Sequence, residues 1–131
     1  MDARILIALF CAWIASETIK FLLNKDKSIK GLFYSVLQGG GFPSSHIAFV
    51  SALAFSMIFS EGFSNLSLVT LALLAIIFTD AVGVRHKVGT LYQIAYNEKK
   101  VPHPGREGHT WEQAIAGLVL GALITAIIFS I

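Results

Sequence analysis

Four apolar stretches separated by polar segments organise the chain. The first runs from about Arg4 to Asn24, with Glu17 and Lys20 near its end. The second runs from Ser44 to Phe59. The third begins near Leu66, is apolar to Thr79, and continues with helical potential through Asp80 and Arg85 to about Asn97. The fourth, Ala114 to Ile131, is 18 residues without a charge, long enough for a spanning helix. The second is shorter: Ile47 to Phe59 is 13 residues, or about 20 Å of helix against a hydrocarbon core of about 30 Å. It spans only if the polar motif before it sits inside the membrane's edge, shielded by neighbouring helices. Gly62 with Ser64-Asn65 makes a tight connection to the third stretch. The pattern predicts an all-α fold, a polytopic membrane helical bundle of about four transmembrane helices forming one domain over residues 1–131.

Composition moves the reading from buried helices toward a bilayer. Hydrophobic residues make up 55% and charged residues 14%, against roughly 25% charged in an average globular chain, and the mean hydropathy is +0.71. So few polar side chains cannot cover a water-facing surface; a soluble bundle with buried helices is the competing reading. The N-terminal apolar run lacks the basic start and small-residue cleavage site of a signal peptide and is read as the first membrane helix. Cys11 is the single cysteine, so no disulfide forms within the chain. Gly117 and Gly121 allow close helix packing, within one chain or across a homodimer.

Charge then orients the bundle. With four crossings, the polar stretches Lys25 to Phe42 and Asn97 to His109 share one side, and both termini lie on the other. Nine of the ten Lys/Arg fall on the first side and only Arg4 opposite. The positive-inside rule makes that first side cytoplasmic for a multi-pass protein of the cell membrane, although basic residues that bind phosphate would bias the same count.

The candidate chemistry lies on that side. Pro43-Ser44-Ser45-His46 opens the second apolar helix, and Gly108-His109-Thr110-Trp111-Glu112-Gln113 opens the fourth. Each puts a histidine at a helix N-terminus, where free N–H groups and the helix dipole make an anion site. Plainer readings stand beside this. Ser44 or Ser45 serves as an N-cap, Thr110 with Gln113 fits a capping box, and Glu112 suits the dipole. Asp80 interrupts an apolar stretch, where an ionisable group is costly unless paired. On a regular helix Lys87 lies on nearly the same face as Asp80. Arg85 is about 140° away, so pairing with it needs distortion, for which Gly83 is a candidate, or another helix. Glu17 and Lys20 can pair on one helix face. His86 and His103 read as loop or interfacial histidines. A metal site from His103, His109, Glu107 and Glu112 matches no standard spacing.

Gly-Phe-Pro-Ser-Ser-His (41–46), Asp-Ala-Val-Gly-Val-Arg-His (80–86) and Gly-His-Thr-Trp-Glu (108–112), in this order, resemble the divergent branch of the type 2 phosphatidic acid phosphatase superfamily, which also holds the vanadium haloperoxidases. The main superfamily carries Lys-x6-Arg-Pro, Pro-Ser-Gly-His and Ser-Arg-x5-His-x3-Asp. The resemblance implies a metal-independent hydrolase with no cofactor. His109 would be the nucleophile and His46 the general acid. Glu112 would orient His109, with Asp80 competing for that role. Lys20, Arg85, Ser44, Ser45 and Gly108 would bind phosphate. The expected partner is a membrane lipid phosphate and not nucleic acid. If the site faces the cytoplasm, phosphatidate or phosphatidylglycerophosphate fits; if it faces outward, an isoprenyl (pyro)phosphate fits as well. Three departures stand out: Ser45 replaces the motif glycine, Arg85 lies 24 residues before His109, and Lys20-x6-Lys27-Ser28 only echoes the first signature. The departures in the first signature favour an alternative, a catalytically silent membrane protein that binds lipid phosphate or serves as an assembly subunit; the retained His46 and His109 oppose it.

Overall fold

The computed structural model describes residues 2–23, 41–101 and 108–131. Lys25, Lys27, Ser28, Lys30, His103, Arg106 and Glu107 lie outside the described residues. Among those described, all regular structure is helical: α1 (Ala3–Leu23), α2 (Ser45–Glu61), α3 (Asn65–Val82), α4 (Val84–Asn97) and α5 (Trp111–Ser130). The helices α1 and α5, and the stretch Asn65–Asn97, are long and apolar enough to cross a membrane, and α2 is a shorter apolar helix.

The packing is inverted relative to a water-soluble bundle. Small and polar residues face inward: Ala8, Ala12, Ser16 and Lys20 on α1, and Ala114, Gly117, Gly121 and Thr125 on α5. Large apolar residues face outward, among them Phe10 and Ile14 on α1, Leu68 and Ile76 on α3, and Leu123 and Ile127 on α5. Lipid is as apolar as leucine, so what holds such helices together is close backbone approach and interhelical hydrogen bonding. The helix α2 is central. It packs on α1, α3 and α5 and buries Ile47, Ala48, Val50, Ser51, Ala52, Ala54 and Met57, as expected of a helix enclosed on most sides.

The Gly117/Gly121 pair makes its close approach within the chain. A Cβ on Gly117 would lie 2.4 Å from the Ser44 carbonyl oxygen, and one on Gly121 would lie 2.3 Å from that of Ala48. Hydrogen bonds lace the same seam: Ser51 Oγ donates to the Leu118 carbonyl at 2.7 Å and Thr125 Oγ1 to the Ala52 carbonyl at 3.3 Å. The face of α5 that the sequence offered to a homodimer is therefore filled by α2.

The third apolar stretch is not one continuous helix. Gly83 ends α3 and starts α4 with φ −97° and ψ −92°. The break brings Arg85 back onto Asp80 as an ion pair, so the distortion needed for that pairing occurs at Gly83. Lys87, which a regular helix would place over Asp80, is exposed. At the other end of α3, Ser64 and Ser67 form a capping box after Gly62 (φ +69°).

The two ends of the bundle are distinct. Arg4 lies over the Phe129 ring at 4.6 Å, and Phe59 stacks on Phe129 at 5.7 Å. This end gathers the start of α1 and the ends of α2 and α5. The opposite end gathers the last turn of α1, the N-termini of α2 and α5, and the α3–α4 junction. The alternation of four helices thus puts both histidine motifs at one end, as the sequence pattern required.

Candidate active site

The site is built where four segments meet. The Ser44 amide donates to the Gln113 carbonyl at 3.0 Å, tying the start of α2 to α5. The His109 amide donates to the Ala81 carbonyl at 3.0 Å, tying the same loop to α3. Gly108 adopts φ +83°, and a Cβ there would lie 2.3 Å from the His86 amide nitrogen. Its glycine identity thus serves a close backbone approach to the α3–α4 junction.

Lys20 arrives from α1. It continues the four-residue row of Ala8, Ala12 and Ser16, so burying that row against α2 carries its ammonium inward. The Lys20 side chain is only 3% exposed and that of Glu17 11%. Its Nζ donates to Glu17 Oε1 at 3.0 Å and to Ser45 Oγ at 2.8 Å. A buried ammonium is tolerated because it is paired and hydrogen-bonded.

The two helix N-termini differ. At α5, Thr110 and Gln113 close a capping box. At α2, Ser44 occupies the N-cap position but its side chain makes no cap hydrogen bond. The first-turn N–H groups of α2 are left without that side-chain partner, so the open anion site is at α2.

His109 is 4% exposed. Its Nδ1 lies 3.2 Å from Gln113 Oε1, and the same oxygen accepts the Thr110 N–H at 3.2 Å. Accepting from a backbone N–H identifies that atom as the amide oxygen, so Nδ1 must carry the proton. The neutral ring then has its lone pair on Nε2. That Nε2 is buried without a hydrogen-bond partner among the described residues. The Gly41 backbone lies close to the ring without forming a hydrogen bond of ordinary geometry. Burial lowers the proton affinity of His109, and the charge of Lys20 and the proximity of His46 add to this; the Gln113 hydrogen bond and Gly41 oppose it. The balance keeps the ring neutral near pH 7.

His46, in the first turn of α2, is exposed and stands within electrostatic reach of Arg85, Lys20 and Glu17. Buried polar atoms without a partner are uncommon and costly in native interiors. Of the four among the described residues, Glu17 Oε2, Ser44 Oγ and His109 Nε2 belong to this site, and Ser56 Oγ lies elsewhere.

Two of the residues expected to orient His109 are placed otherwise. Glu112 is exposed at the first turn of α5, so it complements the helix dipole. Asp80 is engaged by Arg85. The position falls instead to Gln113, which stands four residues after His109, at the spacing of the acid in the superfamily signature, and which the sequence analysis takes only as a capping-box residue. Glu17 pairs with Lys20 as the sequence predicts, and its electrostatic reach to His46 follows from the packing of α1 on α2.

The chain matches no curated protein and no solved structure. The family model described as the Divergent PAP2 family matches residues 1–124.

Proposed function

The chain belongs to the Divergent PAP2 family, and from this membership and the chemistry of its site we propose that it is a membrane lipid phosphate phosphatase working through a phosphohistidine. The observation that carries the reading is the buried lone pair of His109 Nε2, which has no partner among the described residues, in a site that also holds Lys20 and the N-terminus of α2.

In this scheme the phosphoryl oxygens are held by the Lys20 ammonium, by Arg85 and by the first-turn N–H groups of α2, with Ser44 and Ser45 hydroxyls as further donors. His109 Nε2 attacks phosphorus in line, and the bond to the lipid oxygen breaks. His46 gives its proton to the departing oxygen. Its exposure suits a group that recovers protons from solvent. The negative charge of the bound phosphate favours the protonated form of His46 when it is needed. Water then attacks the phosphohistidine while His46 takes up a proton, and inorganic phosphate leaves. Asp80 positions Arg85, and Gln113 holds the tautomer of His109. The apolar surroundings of the site suit a substrate with acyl or isoprenyl chains: phosphatidate, phosphatidylglycerophosphate or an isoprenyl (pyro)phosphate. A cytoplasmic site, with both termini opposite, follows from the Lys/Arg distribution and favours the first two.

A second reading, a silent binder of lipid phosphate, draws on one observation. The amide of Gln113 stands where a carboxylate would stabilise positive charge on His109. A phosphate-release screen over lipid phosphates decides between them, using purified protein in native lipid beside His46→Ala and His109→Ala. Release by the wild type that both variants abolish supports the enzyme. Binding of phosphate or vanadate with no release from any lipid phosphate supports the binder.

A further inference from the structure

The helix α4 has an apolar face that no described part of the chain covers. At 100° per residue, Val84, Val88, Leu91 and Ala95 share one side, with Tyr92 and Ile94 on its flanks. Arg85, His86, Gln93 and Asn97 take the other. Val84 is 64% exposed and Leu91 65%. Among the described elements, α4 packs against α3 alone.

Continuity and charge identify the occupant. The apolar face begins one residue after Gly83, where α3 ends, and so prolongs the outward apolar surface to which Ile76 belongs. Arg85, His86 and Lys87 rule α4 out as a continuation of the α3 span, because each would enter hydrocarbon. Four basic residues, Arg85, Lys87, Lys99 and Lys100, lie between positions 84 and 101 beside one acidic residue, Glu98; Arg85 pairs with Asp80 and Lys100 with Glu98, so the excess positive charge is carried by Lys87 and Lys99. Tyr92 and Tyr96, one turn apart, carry the amphipathic rings typical of the membrane–water boundary. A basic, aromatic-bearing amphipathic helix at the edge of a membrane bundle has the properties of one that lies in the interface plane.

We infer that α4 lies in the headgroup layer of a leaflet that contains acidic lipids, with Val84, Val88 and Leu91 on the acyl chains and Lys87, together with Lys99 and Lys100 just past its C-terminus, on lipid phosphates. The consequence reaches the site. Arg85 and the backbone that receives Gly108 belong to the first turn of α4, so the depth of α4 sets the depth of His46 and His109. The site is then held level with the headgroup phosphates, and a lipid substrate reaches it without leaving the bilayer.

The test uses the full chain in nanodiscs of phosphatidylcholine, with or without phosphatidylglycerol. In a Cys11→Ala background, an environment-sensitive fluorophore is placed at Leu91→Cys or Gln93→Cys, and Val88→Cys repeats the apolar-face measurement. At Leu91 and Val88 the emission should shift to the blue and iodide quenching should fall several-fold below that at Gln93. Lipids carrying a quencher near the headgroup should quench most, and phosphatidylglycerol should increase the shielding. Equal iodide access at Leu91 and Gln93 would overturn the inference. So would strongest quenching by a label at the acyl-chain end, or shielding at Leu91 that comes from cross-linking to a second copy and ignores headgroup charge. None of these readouts involves phosphate release, so failure here is distinct from failure of the phosphatase reading.

Discussion

Gln113 is the residue at which the site departs most from a carboxylate-oriented histidine, and substituting it tests how His109 is tuned. Gln113→Leu removes the acceptor for Nδ1–H and leaves that donor buried. An unsatisfied buried donor costs about 1–3 kcal/mol; placed on the transition state, this is roughly a 5- to 150-fold loss of kcat/KM. The same change opens the capping box of α5, so a fall in activity alone would be ambiguous. Gln113→Glu separates the two effects. Glutamate is itself a capping-box residue, so α5 stays closed, while a carboxylate now sits against the imidazole. An opposite charge at such range raises a histidine's pKa by about 1–3 units. Histidine nitrogen NMR on isotopically labelled protein reads that shift directly, and the acid limb of lipid-phosphate hydrolysis should move up with it. An unmoved His109 titration in Gln113→Glu would refute the proposed contact. A Gln113→Leu variant that hydrolyses at the wild-type rate would refute its positioning role.

Three other outcomes follow from the packing and charge. Gly121→Ala should destabilise by about 1–3 kcal/mol through overpacking, because its Cβ meets the Ala48 backbone; a thermal melt in detergent checks this, with Ile127→Ala on the lipid-facing surface as the near-neutral comparison. Lys20→Met should be strongly destabilising, on the order of 3–5 kcal/mol, because it strands the buried Glu17 carboxylate. The double variant Lys20→Met/Glu17→Gln should recover the melting temperature and still fail to bind vanadate; recovered binding would remove Lys20 from the phosphate site. The depressed proton affinity of His109 keeps the nucleophile neutral below the ordinary histidine value of about 6.5, so the acid limb of kcat/KM should lie below that pH. A limb above it would contradict the assignment.

The helices were legible because the apolar pattern is a direct consequence of the solvent. The spans expected to begin near Arg4, Ser44, Leu66 and Ala114 begin at Ala3, Ser45, Asn65 and Trp111. The pairing of His46 with His109 at one end was legible too, since four alternating crossings leave no other arrangement. What was not legible depends on contacts between distant segments. The sequence offers Lys20 as a partner for Glu17 and a phosphate ligand, but not its burial; only the packing of the Ala8–Ala12–Ser16 row on α2 makes it buried. Glu112 lies three residues after His109, one short of the four that separate histidine and acid in the superfamily signature. The loop from Gly108 instead turns Nδ1 toward Gln113, four residues on and inside the helix cap. Gly83 carried a weaker signal, visible as the point at which Asp80 and Arg85 could meet, although the span was read as helical through to Asn97.

The proposed mechanism requires phosphorus to pass through His109. The most direct measurement presents the protein with a lipid phosphate radiolabelled on phosphorus, quenches in alkali during turnover, and maps the labelled peptide. The predicted result is an alkali-stable, acid-labile label on His109, lost in His109→Ala and reduced in His46→Ala. Label on a different residue, or turnover that survives His109→Ala, would contradict it.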